Sequence, residues 1–528
     1  MCSEIWDKIS EKNCRLGDLF LYAMKKRPDA VCLIDAATGE TETNASVLSR
    51  SITLARCFRR LGFQVGDVIS LSGPNNIDLH IPYFAAILNG MPLIGVDPTF
   101  KYDEIEKVLS VTKPKISFCT TVSYVDYINA IRKLNLDTRV VTFDDGDHSM
   151  ANFIDNYNSK EDNDEEFKPA TFDAEKNFAW LLCTSGTSGS FKVAAITHKS
   201  ILDSVRETFT KLSIERRRNK KTLILSPIQW ITCIADNIYA PLLESIKLQT
   251  SSPSIENFID IINEHKPVTV ITSASTLTYI LSNDKKCDLT CFDSILITGG
   301  KVRKDLITEL KSRMRKDAVV VEVYGQTESI GPVLQPTINA PLGSCGKATS
   351  TFQVKLVDPE TGKEITDPNT PGEMWRKGPS FTEYYNNPEE TAKAFTEDGW
   401  YKTGDLLYRD LDGNYYFVER LKMLIKYKSY HVIPLELEEL IRTHSGVLDV
   451  GVTGVPNERD GELPVAVVVR KPGSDVTAQE IKDLVANKLS ESKLLRGGVV
   501  FVDELPLTSI GKVARLILRQ IAINANRE

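Results

Sequence analysis

The chain is poor in several things, and each shortage excludes a class of function. Ten cysteines are scattered along 528 residues with no Cys-x-x-Cys pair. They read as free thiols in a reducing compartment, with neither a disulfide framework nor a zinc ribbon. Histidines number 6, and none of them recurs at metal-ligand spacing. Of these, His198 alone stands near a candidate loop, and it reads as a satisfied structural histidine. Lys and Arg total 64 against 71 Asp and Glu, a net charge of −7. No face is forced to be basic, so nucleic acid is not an expected partner. No apolar run reaches the roughly twenty residues that span a bilayer, so stable membrane insertion is not expected. The opening MCSEIWDKISEKN is too charged for a signal peptide, and the closing ANRE is neither a peroxisomal tripeptide nor an ER-retention signal. A cytoplasmic location is expected over a peroxisomal one, and a monomer over an assembly.

A 42% hydrophobic content in so long a chain is enough for two or more domains. Against that background residues 184 to 192, TSGTSGSFK, stand out because they offer almost nothing to a core. The apolar run FAWLLC precedes them and VAAIT follows, so the stretch reads as a loop between two strands. Gly186 and Gly189 permit close backbone approach. Thr184, Ser185, Thr187 and Ser188 supply hydroxyls and Lys192 a cation. A phosphate cradle needs these groups. The loop lacks the GK[ST] ending of a Walker P-loop. A plain Ser/Gly turn is the alternative reading.

Strand-like runs alternate with helical patterns along most of the chain. VISLSGP, PLIGVDP, PKISFCT, TVITSAS, SILITGG and VVVEVYG are separated by stretches such as ENFIDIINEH and KDLITELKSRM. This rhythm predicts βαβ units and parallel sheets flanked by helices. The stretch ending in AAILNG reads as amphipathic. SKEDNDEEFKP, residues 159 to 169, reads as a mobile connector. ERRRNKK, residues 215 to 221, reads as a solvated turn. Near residue 400 the texture becomes dense in lysine and aromatics. A unit of about a hundred residues with a βαββαβ-like order follows, a size that folds alone. The expected division is 1–418, a hinge at 419–422, and 423–528.

Three further stretches complete a pattern with the phosphate-like loop. YGQTES, Tyr324 to Ser329, follows a buried strand with a ring, a hydroxyl and a carboxylate. GWYKTGDLLY places Asp405 in a glycine-flanked turn. PLTSIGKVAR exposes Lys512 beside a glycine. In this order and at these separations, the four stretches resemble the acyl-adenylate-forming superfamily of acyl-CoA synthetases, peptide-synthetase adenylation domains and firefly-type luciferases. The C-terminal third, with RLKMLIKYKSYHVIPLELEELI and LRGGVVFVDELP, is most similar to insect luciferases and their acyl-CoA synthetase relatives.

The resemblance implies an α/β fold: a large N-terminal domain of mixed sheets with flanking helices, and a small mobile α+β C-terminal domain. It implies ATP, Mg²⁺ and CoA, with O₂ if the chain is a luciferase, and a small carboxylic acid as partner. By the same resemblance, residues 184 to 192 wrap the β- and γ-phosphates. Gly325, Gln326 and Thr327 meet the nucleotide, Glu328 holds the metal, and Tyr324 with Gly299 and Gly300 borders adenine and the acyl group. Asp405 and Arg420 take the ribose. Lys512 bridges the attacking carboxylate and the α-phosphate, and Lys426 serves the second half-reaction after a domain rotation. Trp230 and Thr232 line the acyl or luciferin pocket, and Lys428 with Ser429 the CoA channel.

Several positions depart from the family pattern. Phe191 stands where proline is usual, Glu419 replaces aspartate, Ser429 replaces glycine, and Lys301 follows the glycine pair. IQWITC replaces a histidine-bearing stretch, with Trp230 at one histidine position. These departures bear on the substrate and the second step, not on adenylation. The leading expectation is an acyl-CoA synthetase. The rivals are a luciferase and a silent binding protein that keeps the fold. Retention of Lys192, Thr327, Glu328, Asp405, Arg420 and Lys512 weighs against the silent protein.

Overall fold

The computed structural model describes residues 7–11, 14–159, 163–184, 191–209, 217–299, 302–337, 340–428, 430–507 and 513–528. Two seven-stranded sheets dominate the large N-terminal part. In the first, parallel strands Arg139–Thr142, Ile116–Cys119, Ile69–Leu71, Leu93–Gly95 and Phe178–Thr184 lie side by side, and Lys192–Thr197 and Glu383–Tyr384 close the edge antiparallel. In the second, Val319–Glu322, Ser294–Ile297, Thr269–Thr272, Lys221–Ile224, Ile246–Gln249 and Val31–Asp35 run parallel, and Thr41–Thr43 turns back antiparallel at the end. The strands are short and rich in Val, Ile and Leu, as strands covered on both faces are.

Helices fill the layers between and around these sheets. His80–Asn89 was expected to be amphipathic, but all of its residues are buried. It lies in the core with Trp180, Phe58 and Phe118, so no face of it needs to be polar. The second sheet buries Val270, Ile295 and Ile297 against its own helices.

An antiparallel five-stranded sheet follows: Glu364–Ile365, Gln353–Val357, Gly372–Lys377, Tyr401–Arg409 and Tyr415–Arg420. The smaller C-terminal part has strands Ile425–Tyr427, Tyr430–Val432, Val447–Asn457, Gly461–Arg470 and Gly498–Val502, with helices Pro434–Ile441, Ala478–Lys488 and Arg515–Asn524. It closes over its own core of Ile425, Leu437, Val450, Val468, Ile481 and Val499.

Two surface expectations need correction. The acidic segment is anchored where it is described: Asp164 accepts from Ser49 Oγ at 2.6 Å and from Arg56 Nη1 at 3.0 Å. Phe167 is buried there, beneath the Arg59 guanidinium at 4.6 Å. The apolar ring and its cationic cover hold down a stretch whose composition alone reads as unstructured. In the basic run, Arg218 turns inward to Glu244 at 2.5 Å and Arg217 donates to Ser294 Oγ at 3.4 Å. Among the described residues every cysteine is a free thiol, and no helix is long and apolar enough to cross a membrane.

Candidate active site

Asp405 is the hub of the site. It lies within strand Tyr401–Arg409 and not in a turn, directly opposite Arg420 of strand Tyr415–Arg420. The glycine before it has φ +68, a left-handed kink inside the strand that side chains other than glycine rarely accept. This kink accounts for the turn-like sequence signal. Gly404 N–H donates to Glu373 Oε1 at 2.9 Å, and Asp405 N–H donates to Thr403 Oγ1 at 3.1 Å.

The Asp405 side chain is only 1% exposed. Tyr324 OH donates to its Oδ2 at 2.6 Å, and Gln326 Nε2 donates to the same oxygen at 2.6 Å. Arg420 Nε approaches Oδ1 at 2.7 Å. That contact is ionic and not a directed hydrogen bond, because Oδ1 keeps no hydrogen-bond partner. Burial pushes the Asp405 carboxyl up from its ordinary value, and Arg420, Tyr324 and Gln326 pull it back only in part. Gln326 Oε1 is also buried without a partner. Two orphaned acceptors beside one carboxylate suit a ligand rich in hydroxyl donors, such as a ribose.

A second group centres on Glu328. Its backbone carbonyl accepts from Ser380 Oγ at 3.0 Å and from Phe381 N–H at 3.1 Å. Tyr384 OH donates to Glu328 Oε1 at 3.0 Å. The Lys192 ammonium sits 4.8 Å from the centre of the Tyr384 ring and pairs with Glu390. Lys192 and then Lys393 hold the Glu390 carboxyl down at about 2. Lys422 faces this cluster. Burial and then the charge of Lys192 lower its ammonium from the ordinary value. Arg376 lies behind Glu328, 1% exposed, with Nη1 on Ser380 Oγ at 3.1 Å and the Tyr401 ring at 4.5 Å.

Tyr384, Glu390 and Arg376 were not foreseen, and Lys422 was expected only as the end of the hinge. Tyr384 reaches Glu328 because Glu383–Tyr384 adds antiparallel to the first sheet, with Glu383 opposite Ala195 and Tyr384 opposite Ala194. The Tyr384–Tyr385–Asn386–Asn387 run was the available signal.

Among the described residues no three His, Cys, Asp or Glu side chains converge on a metal position. Glu328 nevertheless fits Mg²⁺ of the phosphate-bound kind. It is a single carboxylate with one oxygen steadied by Tyr384, and phosphate oxygens and water complete such a shell.

The remaining expected residues divide. Thr184 Oγ1 meets the Lys192 carbonyl at 3.5 Å across the base of the phosphate-like loop. Thr327 is half-buried beside Glu328, and Gly325 opens the same turn. Gly299 ends its strand region with φ +94. Trp230 is the N-cap of helix Ile231–Leu242, and Thr232 Oγ1 donates to Ser226 Oγ at 2.7 Å. Lys426 is exposed, and its N–H donates to Glu462 Oε2 at 3.0 Å, within the C-terminal part. Lys428 pairs with Asp460 at 3.8 Å. Neither lysine joins the Asp405 or Glu328 groups. Ser185, Gly186, Thr187, Ser188, Gly189, Gly300, Ser429 and Lys512 lie outside the described residues. His198 is buried against Phe172, but both ring nitrogens lack partners, so it is structural without being satisfied.

The description "AMP-binding enzyme" matches residues 20–386, and "AMP-binding enzyme C-terminal domain" matches 436–512. The chain is 31% identical to a luciferin 4-monooxygenase of Photuris pensylvanica, over 96% of this chain and 95% of that protein. It is 28% identical to 4-coumarate-CoA ligase 1 of Narcissus pseudonarcissus, over 94% and 91%. Its fold is similar to that of ATP-bound MatB from Rhodopseudomonas palustris, with a TM-score of 0.84 at 23% identity over 96% and 99%.

Proposed function

This chain belongs to the AMP-binding enzyme family, and from that premise we propose that it activates a carboxylic acid as an acyl-adenylate and passes the acyl group to CoA. The observation that carries the reading is the Asp405–Tyr324–Gln326–Arg420 cluster, two of whose members lie on the same Tyr324-to-Glu328 turn that presents Glu328 to Tyr384. One short turn thus reaches a buried carboxylate suited to a ribose, Asp405, through Tyr324 and Gln326, and carries a half-buried carboxylate suited to a metal triphosphate, Glu328.

In the first half-reaction a substrate carboxylate oxygen attacks the α-phosphorus of ATP. The α–β phosphoanhydride bond breaks and pyrophosphate leaves. Mg²⁺, when bound, offsets charge on the phosphate oxygens. Asp405 and Arg420 fix the ribose, and Thr327 and Glu328 lie along the phosphates. Lys192 exchanges Glu390 for the β- and γ-phosphates. Lys512 stabilises charge that grows on the reacting oxygens, an effect that counts most when the donor is already in place. In the second half-reaction the CoA thiolate attacks the acyl carbon, AMP leaves and the thiol proton passes to solvent. Rotation about 419–422 brings Lys426 to the site for that step.

Incubation with ATP, Mg²⁺ and a panel of carboxylic acids, with and without CoA, tests the reading. Acid-dependent AMP and acyl-CoA are expected. ADP as the nucleotide product, or AMP formation indifferent to the acid, contradicts it. The 31% identity to a luciferin 4-monooxygenase favours a second reading, adenylation of a luciferin followed by oxidation. Light on addition of a luciferin, ATP and O₂ would place the chain there.

A further inference from the structure

Helix Ile231–Leu242 has two unlike faces. Cys233, Ile234, Asn237 and Ile238 are buried. Thr232 and Asp236, one turn apart on the other side, keep accessible surface. The sheet facing them shows the same sign of open space. Strands Thr269–Thr272 and Ser294–Ile297 each have a neighbour on both sides, yet Ile271 and Leu296 stay half-buried. Their alternate neighbours Val270, Ile295 and Ile297 are fully buried on the opposite face. A residue in the middle of a sheet keeps accessible surface only if a crevice lies in front of it.

Arg217 ties the two walls together. It donates to Ser294 Oγ at 3.4 Å, and Ser294 shares a face with Leu296, two residues on. The charge of Arg217 also acts on Asp236. Asp236 and the half-buried Ile271 and Leu296 therefore lie on the two surfaces that Arg217 joins. The Asp236 carboxyl makes no hydrogen bond to any described residue. The other nearby cation, Lys247, is spent on His80 Nδ1 at 3.0 Å and on Asn237. Burial pushes the Asp236 carboxyl up to about 7, against the pull of Lys247 and Arg217. Water therefore solvates it poorly even though surface is left. Trp230 and Ser226 stand where strand Lys221–Ile224 ends, beside the ends of the strands that lead to Gly299 and Tyr324. Six residues further along the helix, Asp236 is roughly 9 Å deeper.

We infer that Asp236 selects the acid, and that the substrate carries a hydrogen-bond donor, hydroxyl or ammonium, at the end of its chain remote from the carboxylate. The inference rests on the adenylation reading and narrows its substrate. An acid ending in plain alkyl covers the poorly solvated, half-buried carboxyl and leaves it unpaired, and sites built to bond a polar group reject analogues that lack it far more strongly than they reject a missing methylene.

The test compares kcat/KM for pyrophosphate release with octanoate, its ω-hydroxy derivative and its ω-amino derivative. Each ranking is taken within one variant, so losses of folded protein cancel. A donor-bearing acid should lead octanoate by roughly tenfold or more in the wild type. Asp236→Asn should retain the hydroxy acid and lose the amino acid if ammonium is the native donor, and retain both rankings less sharply if hydroxyl is. Asp236→Leu should put octanoate first. Octanoate first in the wild type overturns the inference. So does an unchanged ranking in both variants, with or without a lower melting temperature. Pyrophosphate release from no acid at all contradicts the adenylation reading itself, a failure distinct from turnover with the wrong ranking.

Discussion

Tyr324 and Asp405, eighty-one residues apart in the chain, meet at 2.6 Å with the phenol donating to a carboxylate that is 1% exposed. The contact joins the turn after strand Val319–Glu322 to strand Tyr401–Arg409 of the antiparallel sheet. The two groups, from two layers, are therefore held as one unit. Tyr324→Phe removes a donor to a charged group, typically about 1.5–3 kcal/mol. The KM for ATP should rise roughly tenfold or more, with a smaller change in kcat. An ATP titration at saturating acid reads this directly. An unchanged KM would detach the pair from nucleotide binding.

Lys512 and Lys426 should separate the two half-reactions. Lys512→Ala should slow pyrophosphate release by roughly a hundredfold or more, as loss of one positioned electrostatic donor does, while ATP binding persists. Lys426→Ala should slow conversion of supplied acyl-adenylate to thioester more than it slows adenylate synthesis. Single-turnover measurement of each half gives the two ratios. Equal losses in both halves would remove the case for alternating lysines.

Trp230 stands at the N-cap of the crevice helix and is half-buried. Trp230→Ala should shift relative kcat/KM among acids of graded bulk by roughly ten- to two-hundredfold. A large fall in melting temperature with the ranking intact would assign the ring to packing instead.

Asp236 makes a pH prediction of definite sign. In the folded protein its carboxyl keeps its proton up to about pH 7, whereas the ordinary value is 3.8. Between those values the folded state binds more protons than the unfolded state, so raising pH removes stability. Melting temperature should decline across this window in the wild type relative to Asp236→Asn. Parallel pH profiles for the two proteins would show that Asp236 is ionised throughout.

The parallel sheets were legible because strands buried on both faces are nearly continuous apolar runs, as in FAWLLC and SILITGG. The antiparallel sheet was not. In Tyr401–Arg409 the buried positions alternate, but they hold Thr403 and Asp405 as well as Tyr401 and Leu407. Polar residues on the inward face erase the period-two pattern, and Gly404 adds a turn-like signal. Motif order pointed to Asp405, Arg420, Tyr324 and Glu328 as site residues. Half-buried Asp236 and buried Lys247 and Arg376 gave no such signal, because charged residues are read as surface unless tertiary partners are known. The anchoring of Phe167 under Arg59 was hidden for the same reason: it pairs residues from distant segments.

Adenylation itself is tested most directly by following oxygen. The protein is given ATP, Mg²⁺, CoA and an acid whose carboxylate carries isotopically labelled oxygen, and the AMP is analysed by mass. Attack of the carboxylate on the α-phosphorus, then of thiolate on the acyl carbon, leaves one labelled oxygen on each AMP formed. Unlabelled AMP beside acyl-CoA, or label transferred to phosphate or ADP, would contradict an acyl-adenylate intermediate.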